Sequence, residues 1–174
     1  MQLNERIKNA IISVKEKNIS HLLDRIESEK ETCSFDEIEV LIGKTFSKLS
    51  EIHQFGTVWG DPWLGNFYID SNDELITSGF GFEFNKENMS LENGFVKDFM
   101  HLFYSAAFRN NLPVHKVSEL AIKNYEPTGK VKENLITECQ KEPSKRANKK
   151  FLKPVFGLDK DEISFSKETL LGYL

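Results

Sequence analysis

A chain of 174 residues, 39 % apolar and with 14 Phe, fits one domain that buries roughly 70 % of its unfolded surface, which excludes global disorder. A net charge of −4 gives no general attraction to nucleic acid or anionic membrane, and no apolar run approaches the roughly 18 residues of a membrane span. The polar start MQLNERIKNA is not a signal peptide, and Cys33 and Cys139 stand at no metal-binding spacing, so the reading is a cytoplasmic protein with two free thiols.

The first fifty residues read as helices. Ile7, Ala10, Ile11 and Val14 fall at helical spacing, and so do Leu22, Leu23 and Ile26 after a possible cap at Ser20. The third helix has the clearest signals. Ser34 with Glu37 forms a capping box, Ile38, Leu41, Ile42, Phe46, Leu49 and Ile52 make one stripe, and Gly56 ends it. From Thr57 the texture changes: TVW and NFYID are strand-like, and SNDE is a turn leading into LITS, a small hairpin laid on a helical body. Helical periodicity returns from about Phe95 in FVKDFMHLFYSAAFRNN and again from His115 to Asn124. Residues 126–174 are more polar and give no firm pattern, and 141–154 carries a basic run that reads as a solvated face. The expectation is one mostly helical α+β domain over 1–174, with no internal repeat.

The stretch VWGDPWLGNFYID, residues 58–70, asks for more than a turn. Asp61 and Asn66 are short polar side chains five residues apart, and Pro62 and Gly65 are suited to fixing the backbone between them. A long helix, a loop with this pair, a hairpin and a Gly-Phe-Gly turn follow the order used in phosphoryl transfer. There the aspartate orients a hydroxyl and accepts its proton, and the asparagine holds a metal against the phosphates. The bland alternative is a capped loop whose two side chains bond local backbone. None of His21, His53, His101 and His115 sits at ligand spacing with another. A calcium loop at Asp70, Asn72 and Glu74 is rejected, because Leu75 stands where that loop needs glycine.

On Gly60, Asp61, Gly65, Asn66 and Phe67 the stretch resembles the catalytic loop of protein-kinase-like phosphotransferases. GDPWLGNF is closest in style to the bacterial lipopolysaccharide core heptose kinases and other small-molecule kinases. The resemblance covers about residues 20–112 and implies the C-terminal lobe of such a kinase, with 34–55 the long helix before the loop and 20–30 the helix after the hinge. It implies Asp61 as catalytic base, Asn66 as a metal and cofactor ligand, and Trp59 and Gly60 as loop supports. Asp98 then takes the place of a buried aspartate that braces the loop from a later helix. ATP and Mg2+ would be the cofactors, and the acceptor a hydroxyl on a sugar or small molecule, with the lipopolysaccharide core as one case.

Departures from the family pattern are as specific. Trp59 replaces the histidine before Gly-Asp, and Gly79, which the resemblance implies as a cofactor-binding position, stands where the metal-binding aspartate precedes Phe80 and Gly81. Thr77 or Ser78 falls near that position in a shifted alignment, without a carboxylate's charge, and Glu83 lies beyond the turn. The first twenty residues hold no glycine for a phosphate-covering loop. The chain therefore reads as a truncated gene product, a degenerate pseudokinase or half of a two-chain assembly. The rival is a non-catalytic scaffold that binds a protein partner or forms a homodimer. Neither reading calls for nucleic acid or a transmembrane segment.

Overall fold

The computed structural model describes residues 17–18, 35–69, 74–77, 89–108, 112–143 and 159–174. These form a mostly helical α+β arrangement: β1 (Lys17–Asn18), α1 (Phe35–Gln54), β2 (Phe67–Ile69), β3 (Leu75–Thr77), α2 (Leu91–Phe108), α3 (Val114–Tyr125), α4 (Gly129–Gln140) and α5 (Lys160–Leu171). Among the described residues no helix is long and apolar enough to cross a membrane.

Helix α1 follows its apolar stripe, with Ile38, Leu41, Ile42, Phe46 and Leu49 buried along one face. It stops at Gly56, whose φ of +71° an L side chain would resist and whose N–H reaches the His53 carbonyl at 2.9 Å. Helix α2 runs through the middle of the core. Its buried set of Phe95, Val96, Asp98, Phe99, Met100, Leu102 and Phe103 leaves little of its circumference to solvent. It starts at Leu91, earlier than the period alone suggests. Helix α3 buries Val117, Ala121 and Tyr125 at four-residue spacing and packs along α1, while α4 lies against α2. Helix α5 closes the bundle over α3 and α4, and Asp159 starts it with a capping box: Oδ1 accepts from the Asp161 and Glu162 N–H groups at 2.9 Å, and Glu162 Oε2 accepts from the Asp159 N–H at 2.8 Å.

The sheet is small and antiparallel, in the order β1-β2-β3, with Phe67 opposite Thr77, Tyr68 opposite Ile76 and Lys17 opposite Ile69. Alternation turns Phe67 into the core and leaves Ile76 outside. Two local expectations fail. Lys17 and Asn18 are extended rather than helical, because the free edge of β2 offers main-chain partners. TVW is not a strand, because the Trp59 N–H is taken by the Asp98 carboxylate instead of a ladder. The helices expected near 7–14 and 20–30, the Ser34 cap, the turn at 71–73 and Cys33 lie outside the described residues. So does the basic run from 144 onward.

Candidate functional site

The site is the loop between α1 and β2, and its path is set by two glycines and a buried carboxylate. Gly60 takes φ +89°, a region that a side chain at that position would strain. Trp59 is fully buried with its ring edge-on to Phe67 at 4.9 Å, so the loop is anchored in the core on one side. After Asp61 the chain turns tightly: Trp63 N–H reaches the Asp61 carbonyl at 3.0 Å and Asn66 N–H the Trp63 carbonyl at 2.9 Å. Leu64 N–H donates to Ser105 Oγ at 3.0 Å, pinning this turn to α2. Gly65 lies under the Trp63 ring, which a Cβ there would meet at 2.5 Å and have to displace.

Asp98 holds the loop from α2. Its Oδ2 accepts the Trp59 N–H at 2.6 Å and its Oδ1 the Gly60 N–H at 3.0 Å, while the His53 Nε2 lies 3.1 Å from Oδ2. A buried carboxylate costs several kcal/mol unless it is hydrogen-bonded, and here two main-chain donors and an imidazole satisfy it. The result is a loop whose register is fixed at the two residues immediately before Asp61.

Asp61 and Asn66 meet. Asn66 Nδ2 donates to the Asp61 carbonyl at 2.7 Å and to its carboxylate Oδ2 at 3.2 Å. With Nδ2 so engaged, Oδ1 is the acceptor atom of the Asn66 side chain. The Asp61 side chain keeps 36 % of its surface exposed, enough to reach a solute. His101 follows Asp98 on α2 by three residues, and its Nδ1 stands 3.8 Å from Asp61 Oδ1. Burial holds the His101 pKa below the usual histidine range, against the opposing pull of the Asp61 and Asp98 charges. Burial thus disfavours a charged ring beside Asp61.

Gly79 lies outside the described residues, as do Ser78, Phe80, Gly81 and Glu83. Thr77, at the end of β3, is half-buried. Among the described residues, no three His, Cys, Asp or Glu side chains converge to hold a metal by themselves. A magnesium ion that brings phosphate oxygens with it needs only one or two protein donors, and Asp61 and Asn66 are the residues of this loop that could supply them. Cys139 is buried, and burial pushes its thiol up to about 11, so it is no ready nucleophile. Sequence reading gave no role to His101, Ser105, His53 and Tyr125, the two histidines having been set aside as metal ligands. The first two carried a signal, standing three and seven residues after Asp98 on one helical face. No protein-family model, curated protein or solved structure matches the chain.

Proposed function

We propose that the loop is a phosphotransferase-type site of degenerate form, within a lobe resembling the C-terminal lobe of protein-kinase-like enzymes. One observation carries the reading: Asp61 and Asn66 share hydrogen bonds on a loop whose preceding N–H groups are clamped by a buried aspartate from the next long helix. In that role Asp61 orients an acceptor hydroxyl and takes its proton, and burial of His101 beside it disfavours a histidinium that would compete for the carboxylate. Asn66 presents Oδ1 while Nδ2 keeps Asp61 in place. ATP with magnesium would supply the phosphoryl group and the charge neutralisation that its transfer needs. The acceptor class is a hydroxyl on a sugar or small molecule, lipopolysaccharide core sugars among them. Without a carboxylate in the place of Gly79, turnover is slow or absent while nucleotide binding persists.

The second reading, a non-catalytic interaction domain, is favoured by Phe55. That residue is 87 % exposed just past the end of α1, and Ile76 is exposed on the hairpin. Thermal unfolding with ATP and magnesium or manganese separates the two. Ligand at 100 times its Kd should stabilise the fold by about 2.7 kcal/mol, a rise of several degrees. The first reading expects a rise that needs both nucleotide and metal and disappears in Asn66→Ala. No rise at saturating nucleotide would sink it and leave the interaction domain.

A further inference from the structure

Asp98 is itself held. His53, near the end of α1, is buried, with its ring stacked on Phe95 at 4.2 Å and 17°. Its Nε2 faces Asp98 Oδ2 at 3.1 Å, and its Nδ1 faces the Tyr125 Oη at 2.6 Å. The carboxylate already accepts two N–H groups, so the imidazole nitrogen facing it is the donor. With Nε2–H given to the carboxylate, a ring carrying one proton accepts at Nδ1, and Tyr125 donates. Burial first, and then the charge of Asp98, push the Tyr125 pKa far up, which keeps that phenol protonated and able to donate.

We propose that His53 and Tyr125 are positioning residues for the Asp61 loop, forming a directed relay Tyr125 Oη–H to His53 Nδ1, His53 Nε2–H to Asp98 Oδ2, and Asp98 to the Trp59 and Gly60 N–H groups. The relay joins the last residue of α3 to the loop through a side chain near the end of α1. Its outer end borders an open pocket of about 160 Å³, lined by His53 and Tyr125 with Gln54, Phe95, Glu126 and Val131. The tyrosine is placed by its own packing: its ring stands edge-on to Phe99 at 5.0 Å and to His53 at 5.5 Å. Those contacts survive removal of the hydroxyl, which makes the oxygen separable from the core.

A functional meaning for the relay rests on the phosphotransferase reading, but its test is made without nucleotide. Nitrogen-15 spectra of the histidine rings should find His53 in the Nε2–H tautomer in the unmodified protein. In Tyr125→Phe, hydrogen exchange of the Trp59 and Gly60 amides should quicken about tenfold relative to the Leu102 and Phe103 amides in the middle of α2, the factor that one hydrogen bond contributes. His53→Gln, which keeps a donor near the Nε2 position, should leave the loop amides slow. His53→Asn, too short to place one there, should quicken them. An Nδ1–H tautomer overturns the proposal, and so does a Tyr125→Phe protein whose loop and helix amides change equally or not at all. If the relay behaves as stated while ATP and metal give no thermal shift, the phosphotransferase reading fails and the relay stands.

Discussion

Asp98 and Lys167 are both almost wholly buried, at 2 % and 5 % exposure, and each takes its partners largely from the main chain. Asp98 receives N–H groups of a loop. Lys167, on α5, donates to carbonyls at the C-terminal end of α4: Glu138 O at 2.8 Å and Lys141 O at 3.3 Å, with Glu138 Oε1 at 3.1 Å. That end of a helix carries unpaired carbonyls and the negative pole of its dipole, so a lysine from a neighbour is a cap in trans. The carboxylate of Glu138 closes this arrangement on itself. The Asp98 arrangement stays open, because the loop it holds carries a half-exposed acid and amide pair on its outer side. One buried charge seals two helices together and the other holds a loop whose polar pair is partly open to solvent, and that difference is what makes the loop the candidate site.

The largest effect should come from Asp98→Ala. It strands the Trp59 and Gly60 amides and the His53 ring in the core, and urea unfolding should show a loss of about 3 kcal/mol or more. A loss below about 1 kcal/mol would mean that water replaces the carboxylate, and the loop would then not depend on it. Lys167→Met keeps most of the buried stem and removes only the donor, with the freed carbonyls next to exposed Lys141. A loss of about 1–2 kcal/mol is expected, with the near-ultraviolet signal of Trp59 unchanged. If that signal moved, the two buried charges would be parts of one network and the contrast between them would fall.

How much of this could be read from sequence depends on the range of the interactions. The stripe of α1, its stop at Gly56 and the hairpin are local, and local periodicity carries them. The Asp61 and Asn66 pair is five residues apart, so its spacing is visible, and the structure brings the side chains together. His53 finds its partners 45 and 72 residues away, and no spacing rule reaches that far. Helix α5 was hidden for another reason. Its buried face is Ile163, Ser166, Lys167 and Leu170, so half the stripe is polar and the apolar period is lost, although the Asp159 and Glu162 capping box was in plain sight. Polar residues that find main-chain partners across the fold are invisible to a hydrophobicity pattern, and both buried charges are of that kind.

The smallest expected effect tests whether Asp61 and His101 form an ion pair like that of Lys167 and Glu138. The folded-state pKa of His101 is lowered from 6.5, with burial as the leading cause. Below 6.5 the unfolded chain takes up the proton before the folded one, so acidification favours unfolding, until the folded ring also titrates. Between about pH 7 and about pH 5.5 the Tm of the unmodified protein should therefore fall further than that of His101→Gln, the other titrating groups being common to both. Parallel curves would mean that burial and the two carboxylates cancel. A smaller fall in the unmodified protein would mean that the carboxylates win and that His101 becomes a cation held by Asp61. The site would then resemble the Lys167 staple, with its acid already paired, and Asp61 could not serve as a free base in acid solution.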